Sequence, residues 1–476
     1  MSSVSADLRA RLAQVDMSIL ELKLRLKSLE DNRQSIQDQL DSVVYPILTL
    51  PHEITSEIFL DCLPSPDVGS VEGPDVTEAP LLLLHVCRTW RDIALSTPHL
   101  WVHLYLNLRR IPKEVGVHGL EKVMADWFLR AGACPLSLSI YNRGNQSWAE
   151  AIRAVLLRYA PRLQSISLSL PRLDFQRLVN IGAFPILETF AVAFHSDGDE
   201  EERLEILDTA PRLRNLLCSE GAGPCTFLIP YGGLSTVTCE SLSPDDLFDL
   251  LLCAPSLEDF TGCVRDEEIA RLGTITHGRL QTLRFSDGCY LYFLRLLHLP
   301  ALQNIHLATT IVTDECPDFF SFLARSSASL RRFSTSAFNT LDTDQFFTYM
   351  PYLTDIELFG PPKEFLLDFI QKLDRAQDKL FLPQLQNLAL WDYTLDVVNA
   401  PLLQALTSRC TGDEESSILR SFRVDALPSY DDDDESQTTA LRTLVEKGMT
   451  VFVGADKLWA ESKLPNTALA NDSQVN

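Results

Sequence analysis

A short pattern of apolar residues recurs along most of the chain and constrains its fold more than any other feature. The unit has the form P-x-L-x-x-apolar-x-apolar, as in PRLQSISL at Pro161 and PALQNIHL at Pro300. Versions without the proline keep the leucine and the spacing that follows it. We take this leucine as the marker of each unit, and the markers are Leu163, Leu187, Leu213, Leu234, Leu257, Leu280, Leu302, Leu330, Leu353, Leu385 and Leu419. Neighbouring markers lie between 21 residues (Leu213 to Leu234) and 34 residues (Leu385 to Leu419) apart.

Each unit predicts two structural elements. The alternating apolar residues after the marker predict a short strand with one buried face. The segments between markers predict helices, for example in SPDDLFDLLLCA, LYFLRLLHL, PDFFSFLARSS, DTDQFFTYM and KEFLLDFIQKL. One strand and one helix cannot bury their apolar faces alone, so we expect successive units to stack and to form a parallel sheet.

The repeated unit resembles the leucine-rich repeat, in an irregular version over 134–454 that mostly lacks the Asn or Cys commonly found after the strand. The resemblance implies an α/β fold, a curved leucine-rich-repeat-like solenoid with a parallel sheet. Residues 102–133 are predicted to be a linker and N-terminal cap, with a strand in LWVHLYLNL and a helix in GLEKVMADWFLRAG. TTALRTLVEKGMTVFVG predicts a final helix and strand, and 455–476 are expected to form a flexible tail.

Polar positions between the strand leucines are candidate contacts for a target protein, because solenoids commonly bind partners on the inner strand surface or on loops at one rim. Examples are Gln164, Ser165, Ser167, Gln303, Asn304 and His306. The alternative is that each is a solvated strand residue without a ligand. The acidic run from Asp431 to Glu435 is likewise more typical of a solvated loop than of a recognition element.

A different pattern occupies the N-terminus. Apolar residues alternate at spacings of four and three from Leu8 to Val43, and only Arg33 interrupts the series. The a positions are Leu12, Ile19, Leu26, Arg33 and Leu40, and the d positions are Leu8, Val15, Leu22, Leu29, Ile36 and Val43. These heptads predict a coiled-coil helix over 1–44 that joins two copies of the chain. The alternative is a single amphipathic helix folded back onto the rest of the chain.

Two further amphipathic segments lie within residues 45–101. LPHEITSEIFLDCL predicts a helix that begins at Pro51 and carries Ile54, Ile58 and Phe59 on one side. A second helix is predicted from Pro80 onward, in LLLLHVCRTWRDIAL. Fewer than sixty residues cannot make a large core, so we expect this module to leave apolar surface exposed.

These segments resemble the F-box, most specifically in the V-C-R-x-W-R-x-I-A pattern that begins at Val86. The sequence departs from the usual compact motif through the longer loop from Ser65 to Ala79. The resemblance implies an all-α module over 45–101 that docks a Skp-type adaptor and, through it, a cullin. By this resemblance the adaptor-binding residues are Leu50, Pro51, Ile54, Ile58, Val86 and Trp90. The alternative is that these side chains only pack against each other inside the module.

Charge and composition narrow the classes of partner. Lys and Arg number 41 and Asp and Glu 65, which gives a net charge of −24 and disfavours nucleic acid and anionic membranes. No long uncharged apolar stretch occurs, so we expect a chain that neither enters a membrane nor carries a secretory signal and that is located in the cytoplasm and/or nucleus. The cysteines include no C-x-x-C pair, which favours reduced thiols over disulfides or a metal site.

No catalytic motif is present. The sequence contains no Walker, nucleophile-elbow, zincin or dinucleotide-binding pattern, and we predict no catalytic residues, cofactor or metal. The F-box and repeat resemblances together imply the substrate-receptor subunit of a Skp–cullin–F-box type ubiquitin ligase, which holds an unknown target protein. The alternative is a non-ligase interaction scaffold built on the repeats, and a weaker third possibility is a repeat receptor for a small ligand.

Overall fold

The computed structural model describes most of the chain in two compact units. It covers residues 2–41, 46–64, 73–111, 116–144, 147–178, 181–194, 204, 207, 209–219, 222–286, 289–308, 316–336, 343–391, 399–410, 418–424, 435–453 and 457–459. The first unit comprises Met1–Gly69 and Asp75–Trp101, and the second comprises Ser70–Pro74 and Val102–Asn476. The acidic residues 431–434 and much of the loop from Ser65 to Ala79 lie outside the described residues.

The described residues of the first unit form four α-helices. They are α1 (Ser2–Asp41), α2 (His52–Asp61), α3 (Leu83–Val86) and α4 (Arg88–Ser96). Short 3-10 helices at Pro46–Thr49 and Pro98–Trp101 precede α2 and follow α4. The predicted N-terminal helix is therefore present as α1. Every described side chain of α1, from Asp7 to Gln39, is exposed.

The second amphipathic segment is not one continuous helix, which corrects the prediction. Cys87 interrupts it with an extended backbone (φ −156°, ψ 174°), and its Sγ accepts a hydrogen bond from the Trp90 backbone N–H at 3.4 Å. Cys87 thus acts as the N-cap of α4, because it satisfies an amide that has no partner within the helix. Periodicity could not show this break, since the apolar spacing continues across it.

Among the described residues of the second unit, fifteen strands form a large sheet in the order of the chain. Its strands are β1 (His103–Asn107), β2 (Leu136–Tyr141), β3 (Leu163–Leu170), β4 (Thr189–Phe194), β5 (Asn215–Ser219), β6 (Thr236–Leu242), β7 (Asp259–Val264), β9 (Thr282–Phe285), β11 (Asn304–Leu307), β12 (Arg332–Thr335), β13 (Asp355–Phe359), β14 (Asn387–Trp391), β15 (Ser421–Val424), β16 (Thr450–Val453) and β17 (Lys457–Trp459). The strands are parallel except that β17 pairs antiparallel with β16. A separate parallel pair joins β8 (Ile275–Thr276) and β10 (Leu297–His298).

The marker leucines explain how the repeated pattern builds this sheet. All eleven have relative exposures of 0–1%. In β3 the marker opens the strand, and in the other ten units the strand begins two residues after it. Inside the strands, side chains alternate between buried and half-buried, as in the pattern from Asp259 to Val264. One face of the sheet is therefore packed in the core, and the other face carries the half-buried side chains.

Helices connect many of the strands. They are α5 (Gly116–Arg130), α6 (Ala149–Tyr159), α7 (Arg172–Arg177), α8 (Pro244–Cys253), α9 (Cys316–Ser326), α10 (Thr343–Thr348), α11 (Lys363–Leu373), α12 (Asn399–Ser408) and α13 (Glu435–Glu446). The rule of one α-helix per unit does not hold throughout. LYFLRLLHL forms a 3-10 helix at Tyr292–Leu296, and the described part of the β5–β6 connection contains only the 3-10 helices Pro224–Thr226 and Tyr231–Gly233.

The ends of the sheet extend beyond the marked units. The predicted cap contributes β1 and α5, and β1 pairs with β2 in the same sheet. The final predicted helix and strand are α13 and β16. The segment 455–476 was expected to be a flexible tail, but its residues Lys457–Trp459 form β17 against β16. Pairing to this edge satisfies strand amides that would otherwise lack partners.

Candidate docking surfaces

The first candidate surface lies on the helical unit, and its geometry starts from α2. Residues four apart on a helix lie on the same side, so Ile54 and Ile58 share one face of α2. Their relative exposures are 49% and 38%, and Leu50, just before the helix, is 37% exposed. Pro51 is also exposed, and its carbonyl accepts a hydrogen bond from the Thr55 hydroxyl at 3.1 Å.

The core of this unit is made by other residues. Phe59 is 1% exposed, and its ring lies 4.9 Å from the ring of Trp90, centroid to centroid. Ile93, Ala94 and Trp101 are also buried, and the Trp101 indole donates a hydrogen bond to the Ala94 carbonyl at 2.8 Å. A compact core therefore forms without Ile54 and Ile58.

Polar contacts fix α2 against α4. The Ser96 hydroxyl lies 3.0 Å from Nε2 of His52, and the Ser56 hydroxyl lies 3.0 Å from the Thr97 hydroxyl. Each contact joins residues more than forty positions apart, from the two ends of the module. They hold the α2 face in one orientation, which a preformed docking surface requires.

The predicted adaptor-binding residues thus have different environments. Leu50, Pro51, Ile54 and Ile58 are exposed at the start and along one side of α2. Val86, at the end of α3, is 51% exposed. Trp90 is half-buried against Phe59, so it belongs partly to the core.

The exposed apolar residues of the same unit that the sequence did not single out include Ile47 and Leu82. Ile47 and Leu82 are both 42% exposed. Ile47 lies in the 3-10 helix before α2 and Leu82 directly before α3. Because Ile47 and Leu82 have apolar neighbours in the sequence, the pattern did not distinguish them from core positions.

The second candidate surface is the half-buried face of the sheet, where polar side chains form rows across the strands. Asn215 donates to the Thr189 hydroxyl at 3.2 Å, and Asn304 donates to the Thr282 hydroxyl at 3.0 Å. In the same row, Asn387 donates to the Asp355 carboxylate at 2.7 Å. These side chains sit in register on neighbouring strands. Their hydrogen bonds bind the strands to each other and use up much of their capacity for a ligand.

The next row along the strands carries charge. Arg284 donates to both oxygens of Asp259, at 2.6 and 2.8 Å. His306 lies 2.7 Å from the Ser334 hydroxyl through Nδ1, and Ser334 donates to Glu357 at 3.4 Å. Burial lowers the pKa of His306 from its ordinary value, Glu357 acts to raise it, and Arg284 acts to lower it. Two of the polar positions singled out in the sequence, Ser167 and His306, lie in this row.

Aromatic residues gather towards the C-terminal end of this face. The rings of Phe359 and Trp391 stack at 5.8 Å with an interplanar angle of 9°. The Arg423 guanidinium carbon lies 5.5 Å from the centre of the Trp391 ring and 4.5 Å from the centre of the Phe452 ring. We call these four residues the arginine–aromatic cluster. Sequence analysis missed it, although aligning the repeats at their markers would have placed Arg423 at an outward strand position.

No protein-family model matches the chain, and a search of the curated proteins finds no significant relative. In the described residues, no helix has both the length and the apolar character to span a membrane. The same part of the chain contains no group of three or more His, Cys, Asp or Glu side chains suited to hold a metal ion.

Proposed function

We propose that this chain is the substrate-receptor subunit of a Skp–cullin–F-box type ubiquitin ligase. The observation that carries the proposal is the exposed apolar face of α2, which remains available although the helical unit already has its own core. An apolar surface held by a fixed helix packet suits a partner helix of a Skp-type adaptor. The V-C-R-x-W-R-x-I-A pattern of the same unit supports the assignment.

The repeats would supply the target-binding part. We infer a curved leucine-rich-repeat-like solenoid from the chain-ordered parallel sheet and the buried marker leucines. The half-buried sheet face would select the target protein. The chain itself would do no chemistry. Its role would be to raise the local concentration of the target protein beside the ubiquitin-transfer machinery.

The heptads of α1 support a further part of the proposal, a parallel homodimer. The apolar a and d side chains described in α1 are all exposed in a single chain, including Leu22 at 66% and Leu26 at 57%. A second copy would bury this stripe in a coiled coil. The dimer would present two target-binding surfaces at once.

Co-expression with a Skp-type adaptor, followed by purification of the chain, tests the proposed function. We expect the adaptor to co-purify with the wild-type chain and to be lost with the double variant Leu50→Glu and Ile58→Glu. Both residues are exposed, so the variant should keep the circular dichroism spectrum of the wild type. Absence of the adaptor from both preparations would favour the non-ligase scaffold instead.

A further inference from the structure

In the arginine–aromatic cluster, the guanidinium of Arg423 lies against two aromatic rings. Arg423 lies on β15 between Trp391 of β14 and Phe452 of β16. Phe359 extends the apolar surface by stacking on Trp391. A guanidinium over a ring face is held by cation–π attraction, and its N–H groups still point outward from the edge of its plane.

Other arginines of the same sheet face differ from Arg423 because they are already paired. Arg284 binds Asp259 through two contacts, and Arg332 lies 3.6 Å from Asp355. No hydrogen bond or ion pair joins the Arg423 side chain to any residue that the structure describes. In a chain with a net charge of −24, a half-buried arginine that has no acidic partner among the described residues keeps N–H groups for a ligand.

We propose that the arginine–aromatic cluster binds an Asp or Glu side chain of a target protein, with a neighbouring apolar side chain of the target packed on the rings. This inference rests on the proposed function, in which the sheet face selects the target. Arg423 would form the charge-assisted hydrogen bonds, and Phe359, Trp391 and Phe452 would exclude water from them. The ligand class is therefore an acidic segment with adjacent apolar residues.

The surroundings favour a carboxylate side chain over two related anions. Glu357 lies in the same row as Arg423, separated by Ala389, and its charge disfavours a doubly charged phosphate. A C-terminal carboxylate is commonly captured by free backbone N–H groups. Here the neighbouring strands β14, β15 and β16 pair with each other, so their ladder uses the amides of this region.

Selection from a phage-displayed random dodecapeptide library tests the proposal while the target protein is still unidentified. The peptides are fused through their C-termini, so none has a free terminal carboxylate, and they are panned on the full-length chain. We expect enrichment of Asp or Glu beside Phe, Leu, Met or Trp. An amidated synthetic peptide of the most enriched sequence should bind in fluorescence anisotropy. Its Asn or Gln analogue should bind about tenfold more weakly, since it lacks the charge.

Variants of the chain complete the test. Arg423→Gln should weaken the selected peptide about tenfold, and Arg271→Gln should leave its affinity unchanged, because Arg271 lies outside the strands and pairs with Asp245 and Asp249 of α8. Arg423→Lys keeps the charge without the planar fork and should give an intermediate loss. Enrichment without acidic residues, or equal binding by Arg423→Gln, would overturn the proposal. Preference for phosphopeptides or for free C-termini in parallel libraries would overturn it as well.

Two controls separate this proposal from its rivals. Adaptor binding is measured on the same preparations. A variant that loses peptide binding but still binds the adaptor has a defect in the arginine–aromatic cluster alone. Peptide binding without adaptor binding would instead contradict the proposed ligase role. A synthetic SYDDDDES peptide, which copies residues 429–436 of this chain, should bind more weakly than the selected peptide. Tighter binding of this peptide would assign the cluster to the chain's own acidic run.

Discussion

At the scale of single residues, close packing decides which side chain the sheet can accommodate at Gly262. A Cβ atom added at Gly262 would lie 2.7 Å from the Cys239 carbonyl oxygen and 3.0 Å from the Phe260 ring. The first distance is shorter than van der Waals contact allows, and the oxygen belongs to backbone held in the strand ladder. Glycine is therefore required at this position by space.

We expect Gly262→Ala to destabilise the second unit by about 1–3 kcal/mol, the usual cost of overpacking. Gly278→Ala is the matched control, because no atom lies within 4 Å of the Cβ that it would add. Hydrogen exchange of β6 and β7, measured by mass spectrometry during urea titration, reports the change. Equal protection in the two variants would show that the strands shift to admit the methyl group.

His306 gives the sheet face a dependence on pH. Its pKa is lowered in the folded chain from the ordinary value of 6.5, chiefly by burial, so the unfolded chain binds the proton more readily. The stability that neutral His306 contributes is therefore present above pH 6.5 and is lost as the pH falls through the folded value. Ser334, Glu357 and Arg284 are the polar groups that act on this ring.

We expect the wild-type chain to lose more unfolding free energy between pH 7 and pH 5 than His306→Gln does. His118→Gln, at an exposed side chain, should follow the wild type. Hydrogen exchange of β11 and β12, measured by mass spectrometry during urea titration across this pH range, reports the difference. Parallel curves for wild type and His306→Gln would contradict the assigned direction of the pKa shift.

At the scale of elements, the sequence predicted most of the sheet because the pattern that specifies each strand lies within a few consecutive residues. A marker leucine followed by alternating apolar residues specifies a buried anchor and a strand, and all eleven units produced one. The intervening elements were predicted less well. Tyr292–Leu296 has enough apolar residues for an α-helix, but it forms a five-residue 3-10 helix that ends where β10 begins at Leu297.

The hydrogen bonds of buried polar side chains could not be predicted from the sequence. Arg409 at the end of α12 is 1% exposed and donates to the carbonyls of Leu373, Phe381 and Leu382 at 2.6–2.8 Å. Burial, and secondarily Arg375, lowers its pKa to about 10. An arginine in sequence is usually a surface residue, so only the three-dimensional path of the chain shows that it caps these carbonyls.

The two faces of α2 allow a matched test within one element. Phe59→Ala should cost the helical unit about 3–5 kcal/mol, because it removes a buried ring that packs on Trp90. The adjacent Ile58→Ala should have a small effect on stability, since its side chain is exposed. Hydrogen exchange of α2 and α4 measures both, because it reports on the helical unit separately from the second compact unit. Similar losses of protection would place Ile58 in the core.

At the scale of the whole molecule, α1 is expected to set the number of copies. Sequence and structure both give a long helix, but a helix alone does not distinguish a coiled coil from a solvated rod. Leu22 at a d position and Leu24 at an f position are 66% and 64% exposed in the single chain. They differ only in their place relative to the proposed seam.

We expect the wild-type chain to sediment at twice its mass of 53.5 kDa. Leu22→Lys should shift the equilibrium towards the monomer, and Leu24→Lys should not. Sedimentation equilibrium measures the masses, and a chain lacking residues 1–44 provides the monomer reference. A monomeric wild type would remove the coiled coil from the proposal.

The central claim is that the helical unit presents its exposed apolar face to a second protein. Isothermal titration of a purified Skp-type adaptor into the chain tests it most directly. The account predicts saturable binding by the wild type, at least about tenfold weaker binding by Ile58→Glu, and unchanged binding by Leu272→Glu, a charge placed at a leucine that is 97% exposed in the second unit. No binding by the wild type, or equal affinities for all three chains, would contradict the account.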